Sequence, residues 1–373
     1  METSVKSHLG DIRRRRGISA AHLAKTVGTS RQTIYAIEAG SFVPNTEVTL
    51  RMARALEVAV EELFTLAVGP PAHPEHVVTE ILSESPVALG QAVRICRVGE
   101  RRFSIPVNAA PYYLPEADGV VAKLGRNPNK VDLAIFGSEE STEKKLLMAG
   151  CDPAIGLMSR VVEKLGGVEI VSTGAASKLA LRWLVEGKVH IAGSHLEDPA
   201  TGEFNLPYLR SQYPGEDFVV VTFARWEEGF VTAAGNPLAI RRVEDLAQPK
   251  VTFMNREAGS GSRALLDRLL GESGTLASKV RGYDRVAHGH LAAAYAVLTG
   301  ESDCCLATRS AAQTFGLGFL ALQSERYDLV MRRETLELPA AQAMMDVLQR
   351  AALRRKLEVL AGYDTAQTGQ VLA

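Results

Sequence analysis

Residues 19–40 read SAAHLAKTVGTSRQTIYAIEAG, and this stretch predicts two short helices joined by a tight turn. Ser19 is a candidate N-cap of the first helix and Ser30 of the second, because a serine hydroxyl can accept from the free N–H groups of a helix start. Gly28 lies where the chain must turn and Gly40 follows the second helix, and both positions favour positive φ. The pattern is that of a helix-turn-helix unit.

The second helix begins with polar side chains on its outer face, where such a unit presents side chains to the major groove of DNA. Arginine suits guanine and glutamine suits adenine, so Arg31 and Gln32 are candidates for base contacts, while Tyr35 suits a phosphate contact equally well. A basic run upstream, residues 13–16, suits phosphates. The predicted DNA-contacting residues are Arg14, Arg15, Arg16, His22, Ser30, Arg31, Gln32, Thr33 and Tyr35.

The composition limits the class of protein. With 373 residues and 46% hydrophobic content, the chain is expected to form two or three domains. Its net charge of −1 excludes a polycation, so attraction to DNA must come from a local basic patch. The N-terminus lacks the apolar core of a signal peptide, and no apolar run is long enough to span a bilayer. We therefore expect a cytoplasmic protein without membrane contact.

The cysteines and histidines predict no metal site. No Cys-x-x-Cys pair occurs and no Cys/His cluster has zinc-finger spacing, so the cysteines are interpreted as small buried hydrophobic residues. Three histidines of the C-terminal half are interpreted as structural hydrogen-bonding residues. We expect no cofactor. The residues concerned are Cys96, Cys151, Cys304, Cys305, His195, His288 and His290.

Three regions differ in pattern. Residues 1–66 predict small helices, the first over 4–16 and the fourth capped by Thr46. Val48, Leu50, Ala53 and Leu56 are its expected inward positions. Residues 67–125 begin with a proline-rich linker and include a β-hairpin signal over 93–107, so they predict a small connector. Residues 126–373 alternate short apolar runs, the first at 131–136, with helical segments, which indicates βαβ units.

Three loops of the C-terminal region share one chemistry. Each follows a predicted strand and opens a helix, where backbone N–H groups are free and the helix dipole is positive. Serine and threonine hydroxyls add further donors. The loops are Gly137-Ser138, Ser172-Thr173-Gly174 and Gly259-Ser260-Gly261-Ser262. Converging in one cleft, they would form a pocket for an oxyanion.

Residues 6–66 resemble the lambda-repressor-like (XRE-type) helix-turn-helix domains. The resemblance is carried by Leu23-Ala24, Gly28, Ser30-Arg31, Ile34, Ile37-Glu38, Gly40, Pro44, Leu50, Ala53 and Leu56. It implies that the outward residues at the start of the second helix read bases. It also implies a homodimer on a palindromic double-stranded DNA operator. Glu38 is expected to brace the domain, because a carboxylate is repelled by phosphate.

Residues 255–263, NREAGSGSR, resemble the Asn-Arg-x-x-Gly-Ser-Gly-Thr-Arg segment of the periplasmic-binding-protein-like domain of bacterial regulators, a domain related to molybdate-binding proteins. Further segments match in order over roughly residues 130–370. Ala258, Ser262 and the Cys304-Cys305 pair depart from the usual pattern. The resemblance implies an all-α helix-turn-helix domain followed by an α/β domain of type II, with two lobes and a ligand in the cleft.

These features predict a one-component bacterial transcriptional regulator controlled by a small anion. The resemblance favours molybdate or tungstate, and a small organic anion is the next choice. The predicted ligand contacts are Ser138, Ser172, Thr173, Ser194, Asn255, Arg256, Ser260, Gly261, Ser262 and Arg263.

An enzyme fused to a DNA-binding domain is the alternative, with Ser172 or Ser194, His195 and Asp198 as a conceivable hydrolytic set. The chain has no Gly-x-Ser-x-Gly elbow, so no catalytic residue is predicted. A transport-type binding protein does not account for the helix-turn-helix unit.

Overall fold

The computed structural model describes residues 5–66, 76–107, 116–127, 129–136 and 144–373. The chain divides into two compact units, Met1–Pro74 and Glu75–Ala373. In the described ranges, every helix is too short or too polar to cross a lipid bilayer.

The first unit contains the predicted pair of helices. The side chain of Ser19 accepts from the N–H of His22, and that of Ser30 accepts from the N–H of Thr33, so both predicted N-caps are confirmed. Gly28 has φ +75°, as the turn requires. The helices are α1 (Leu9–Arg15), α2 (Ala20–Val27), α3 (Arg31–Glu38), α4 (Thr46–Leu56) and α5 (Val60–Leu63), and two short strands, β1 (Val5–Ser7) and β2 (Phe64–Leu66), pair antiparallel.

Two details of this unit differ from the sequence prediction. The first helix starts at Leu9, because residues 5–7 pair with residues 64–66 as a strand. In α4, Asn45 rather than Thr46 is the N-cap, and Leu50 is 57% exposed while Met52 is buried. Positions two apart on a helix point to different faces, so a face that buries residues 52, 53 and 56 leaves residue 50 in solvent.

The second unit begins with a closed five-stranded β-barrel, where the sequence predicted a linker with one hairpin. The strands are β3 (His76–Ile81), β4 (Ala92–Val98), β5 (Arg101–Pro106), β6 (Gly119–Leu124) and β7 (Lys130–Ile135), in the order β3-β5-β4-β6-β7. The predicted hairpin is present as β4 and β5. The strand predicted at residues 131–136 is β7, which pairs with β3 and β6. It therefore closes the barrel instead of opening the α/β domain, and the boundary predicted at residue 126 falls inside the barrel.

The remainder is an α/β structure around a nine-stranded sheet in the order β13-β12-β14-β11-β15-β10-β8-β9, with β16 paired to β11. Its strands are β8 (Lys145–Gly150), β9 (Glu169–Gly174), β10 (Ile191–Ser194), β11 (Phe218–Thr232), β12 (Phe253–Arg256), β13 (Val286–Ala287), β14 (Cys304–Thr308), β15 (Gly318–Arg332) and β16 (Tyr363–Asp364). Its helices are α6 (Ile155–Gly166), α7 (Ser177–Val185), α8 (Leu206–Gln212), α9 (Gly261–Ser273), α10 (His290–Leu298), α11 (Arg309–Thr314), α12 (Pro339–Leu348) and α13 (Ala351–Glu358).

The sheet is shared by two lobes. The first lobe comprises residues 144–217 and 333–373, and the second comprises residues 233–317, and their buried side chains lie in separate hydrophobic clusters. Strands β11 and β15 cross between them and pair antiparallel along their whole length, with register shifts at Thr222/Ala224 and Glu228/Gly229. Each crossover strand also pairs with a strand of one lobe. Strand β15 pairs with β10 of the first lobe, whereas β11 pairs with β14 of the second lobe. The expected two-lobed α/β architecture is confirmed.

The barrel is packed on the first lobe. Leu82 and Phe103 of the barrel lie in the same buried cluster as Leu147 and Ala180 of that lobe. At the edge of this contact, the guanidinium of Arg94 forms ion pairs with Glu169 of β9 and with Asp118 of the barrel. Apolar burial and a charge network together fix the barrel to the first lobe.

His190, at the entrance to β10, makes the second unit sensitive to acid. Its Nδ1 accepts from the N–H of Leu147 at 2.9 Å, and burial lowers its pKa to about 4. As the pH falls below about 6.5, the unfolded chain protonates here while the folded chain stays neutral until about pH 4. Below about pH 4, the unfolding free energy is therefore lower by about 3 kcal/mol than at neutral pH.

We expect His190→Asn, whose side-chain oxygen can also accept from Leu147, to reduce the decline of the unfolding free energy between pH 6.5 and pH 4. Urea unfolding of the full chain at several pH values measures this decline. His22→Asn, at an exposed position of the first unit, is the control. An equal decline in wild type and His190→Asn would contradict the prediction.

Candidate functional site

The start of α3 forms an exposed polar surface. Ile34 and Ile37 are buried beneath it, while Arg31, Gln32 and Tyr35 are exposed. Arg31 donates to the hydroxyl of Tyr35 at 2.9 Å, and its guanidinium lies 5.3 Å from the centre of the tyrosine ring. The side chains of Arg31 and Tyr35 are therefore in contact on this surface, and Gln32 follows Arg31 in the sequence.

The basic run at the end of α1 divides into two roles. Arg14, Arg15 and Arg16 are exposed. Arg13 is largely buried, donates to the carbonyl of Ile18 and forms a 2.5 Å ion pair with Glu38. Glu38 thus links α3 to α1, as expected of a bracing residue. His22 and Ser30, also predicted to contact DNA, are exposed, and Thr33 is half-buried.

A cavity of about 510 Å³ lies between the two lobes. The first lobe contributes the ends of β8 and β9 and the start of α6, and the second contributes Glu257 and residues 288–292. The barrel forms a further wall through residues 82–86, Gln91 and Pro106. One barrel residue reaches the second lobe, because Glu84 Oε2 lies 3.2 Å from Nδ1 of His288.

The structure brings few of the predicted ligand contacts to this cavity. Ser172 and Thr173 line it, and Ser138 lies outside the described residues. Ser194 is buried and donates to Asn205, and the side chain of Asn255 donates to the carbonyl of Tyr283.

The side chains of the predicted Gly-Ser loop and of its two arginines also have partners within the protein. Ser260 caps α9, Ser262 is buried near Arg256, and Arg263 pairs with Asp267. Arg256 itself is buried in a 2.7 Å ion pair with Glu257.

This Gly-Ser loop serves the contact between lobes. The N–H of Lys178 in the first lobe donates to the carbonyl of Gly259 at 3.2 Å. A Cβ on Gly261 would lie 2.5 Å from the ring of His195, so glycine permits the second lobe to approach the first. The loop was predicted to bind an anion because the sequence does not reveal that the opposite lobe covers it.

Two helices, α6 and α10, begin at the cavity, and α7 begins beside it. The N-caps of α6, α7 and α10 are Ala154, Ala176 and Gly289, and none of them provides a capping hydrogen bond from its side chain. The first turns of α6 and α10 line the cavity, as does Ala175 before α7. The positive ends of the α6 and α10 dipoles favour a negatively charged ligand, although two carboxylates of the protein already accept from the N–H groups of Ala154 and Gly289.

The carboxyl groups at the cavity are each held by a partner. Asp152 accepts from the hydroxyl of Tyr363 at 2.5 Å, and burial raises its pKa to about 7. Glu257 is neutralised by Arg256, and Glu84 lies beside His288. These acidic side chains therefore oppose an anion less than their number indicates.

At the inner end of the cavity, Cys151, His195 and His290 converge. The Sγ of Cys151 lies 3.5 Å from Nε2 of His195 and 3.8 Å from Nε2 of His290. The opposite nitrogen of His195 lies 2.5 Å from Oε2 of Glu325, and that of His290 lies 3.9 Å from Oε1 of Glu228. This cluster could not be predicted from the sequence, because its members are far apart along the chain and share no spacing motif.

Burial dominates the electrostatics of this cluster. It raises the pKa of Glu228 to about 8 and that of Glu325 to about 7. Burial also places the pKa of His290 well below its ordinary range. For His195, burial acts downward, but the nearby Cys151 and Glu228 leave its pKa raised.

Tyr327 positions Cys151. Its hydroxyl accepts from the N–H of Cys151 at 3.2 Å. A Cβ on Gly150 would lie 2.3 Å from this hydroxyl and a Cβ on Gly193 only 1.8 Å, so both glycines are needed for the ring to reach the site. Trp226 packs edge-on against both imidazoles, with ring centres 5.2 and 5.3 Å apart.

The hydrolytic set considered from sequence is not assembled. His195 is directed to Glu325 and Cys151, and Ser194 is hydrogen-bonded to Asn205. Asp198 accepts from the N–H groups of Ala200 and Thr201 in its own exposed turn.

Comparison with known proteins identifies both parts of the chain. A helix-turn-helix domain family matches residues 7–66, and the PBP superfamily domain matches residues 158–349. The uncharacterized protein YvgK of Bacillus subtilis is 30% identical over 235 residues, which cover 63% of this chain and 76% of YvgK. The uncharacterized HTH-type transcriptional regulator YgzD of the same species is 37% identical over 62 residues, 17% of this chain and 94% of YgzD.

Among solved structures, the tungstate ABC transporter from Geobacter sulfurreducens is similar with a TM-score of 0.43 and 15% identity, covering 59% of this chain and 98% of that one.

The exposed surface of α3 leads to a prediction about base preference. We expect Gln32→Ala to lose discrimination at one base pair by about 1–3 kcal/mol, because a glutamine amide can pair with one base edge. Arg14→Ala, at an exposed position suited to phosphate, is expected to weaken binding to all sequences alike and to lower its salt dependence.

Selection of DNA sequences by each variant, followed by titration at two salt concentrations, separates these effects. Equal weakening by Gln32→Ala on every sequence would reassign Gln32 to a backbone contact.

Proposed function

Because this chain belongs to the PBP superfamily and is a transcriptional regulator of the helix-turn-helix type, we propose that a small anion bound in the cleft between its lobes controls its binding to DNA. One observation carries the choice of an anion: α6 and α10 begin at the same 510 Å³ cavity, and α7 begins beside it. The hydroxyls of Ser172 and Thr173 add donors at its wall.

A tetrahedral oxyanion, molybdate or tungstate, is the first candidate, and a small carboxylate is the second. Both accept several hydrogen bonds from N–H and O–H donors. Arg256, which sequence analysis offered as a charge partner, is neutralised by Glu257. A bound anion would therefore depend on the helix dipoles and on the hydroxyls, with no direct arginine clamp.

The anion acts on DNA binding only through a difference in affinity between two arrangements of the protein. The two crossover strands provide a place for such a change, because the register shift at Thr222/Ala224 lies between the segments paired to each lobe. In this proposal the ligand binds both lobes and favours a closed cleft.

We expect at least one of molybdate, tungstate, sulfate, phosphate or a small carboxylate to raise the melting temperature of the full chain. A ligand at about 100 times its Kd stabilises the folded state by about 2.7 kcal/mol. The double variant Ser172→Ala/Thr173→Val should lose most of this effect, whereas Ser211→Ala, exposed on α8, should keep it.

The same anion should change the affinity for a selected DNA sequence. An absence of stabilisation by every anion at millimolar concentration would refute the anionic effector. Stabilisation that leaves DNA affinity unchanged would refute control of DNA binding by this cleft.

We further propose a homodimer on a palindromic operator, because one helix-turn-helix domain reads a short half-site and two-fold symmetry matches two half-sites. Light scattering of the full chain, with and without selected DNA, is expected to give the mass of two copies. A mass of one copy under both conditions would contradict this proposal.

A further inference from the structure

The geometry points to a binding site for a divalent transition-metal ion of the zinc class, formed by Sγ of Cys151, Nε2 of His195 and Nε2 of His290. These three atoms lie within 4.8 Å of one another at the inner end of the cleft. The site is independent of the effector proposed above, because its test measures the metal itself.

The distances fit one ion among the three atoms. A tetrahedral zinc ion has bonds of about 2.3 Å to sulfur and about 2.0–2.1 Å to nitrogen, which places sulfur and nitrogen ligands about 3.6 Å apart. The observed distances from Sγ of Cys151 are 3.5 Å to His195 and 3.8 Å to His290. Both distances from the thiol therefore fit a shared ion, and the two imidazole nitrogens lie within 4.8 Å of each other.

The surroundings of His195 match those of a metal ligand, and a carboxylate also faces His290. A ligating histidine commonly directs its second nitrogen to a carboxylate, which fixes the ring orientation. His195 is so placed against Glu325, at 2.5 Å, and His290 faces Glu228 at 3.9 Å. Nδ1 of His290 is fully buried and has no hydrogen-bond partner among the residues that the structure describes. A catalytic thiol–imidazole pair would need only one of the two histidines. The convergence of both imidazoles on the thiol therefore favours a shared metal ion.

The ligands come from different lobes. Cys151 and His195 follow β8 and β10, two neighbouring parallel strands of the first lobe, and His290 is the first residue of α10 in the second lobe. An ion here would link the lobes at the floor of the cleft. Cys151 is partly exposed and, like His290, lines the cavity, so the site borders the cleft.

The ligand set selects the class of metal. One thiolate and two imidazoles suit Zn²⁺ and Co²⁺ and disfavour Mg²⁺ and Ca²⁺, which prefer oxygen ligands. Binding converts the thiol of Cys151 to a thiolate and releases its proton to solvent, with no change of oxidation state.

The test uses the full chain, treated with a chelator and kept reduced. We expect Zn²⁺ to bind at one equivalent and Co²⁺ to give a thiolate-to-cobalt charge-transfer band with the spectrum of a tetrahedral site. Cys151→Ser and His290→Gln should abolish the band and weaken Zn²⁺ binding most. Glu325→Gln, behind His195, should weaken it by about 10–100-fold.

Matched controls separate this site from other thiols and histidines. Cys96→Ala removes a buried thiol in the barrel, and His288→Gln removes an exposed imidazole at the rim of the cavity. Both should keep the cobalt band, and circular dichroism verifies that every variant is folded. Absence of Zn²⁺ binding by the wild type, or a cobalt band that survives Cys151→Ser, would overturn the inference.

A thiol-dependent ester hydrolysis that needs Cys151 but persists in His290→Gln without bound metal would also overturn it, since it would assign Cys151 and His195 to catalysis.

Discussion

The antiparallel pairing of β11 and β15 is the constraint on which the second unit depends. Each strand has fifteen residues, and the pair joins both lobes into one sheet. Side chains of both strands pack behind the cluster of Cys151, His195 and His290 at the cleft. Trp226 and Glu228 come from β11, while Glu325 and Tyr327 come from β15, and all four are buried. The same pairing that connects the lobes thus places acidic groups where water is excluded.

The helix-turn-helix unit could be predicted from sequence nearly residue by residue. Its signals are local: the serine caps, the glycine turn and the buried positions of α2 and α3 all lie within 22 residues. Errors arose where a distant partner decides the structure. Residues 5–7 form a strand only because residues 64–66 pair with them, and no short-range pattern reveals that pairing.

The architecture of the lobes was also predictable, whereas the site was predicted only in part. Ser172 and Thr173 were identified because strand, loop and helix follow one another directly. The Gly259–Ser262 loop has the same local pattern, yet it packs against His195 and Lys178 of the other lobe. Local chemistry is the same in the two loops, and only the tertiary contact distinguishes them.

The five-stranded barrel has a consequence for how the cleft could diversify. Residues 83–86 form part of a connection between two barrel strands and at the same time a wall of the cavity, while the barrel core consists of strand residues such as Val93 and Leu133. Changes in this connection would alter the shape of the entrance without disturbing the packing of either lobe. Selectivity for different molecules can therefore evolve on a segment that carries little of the folding stability.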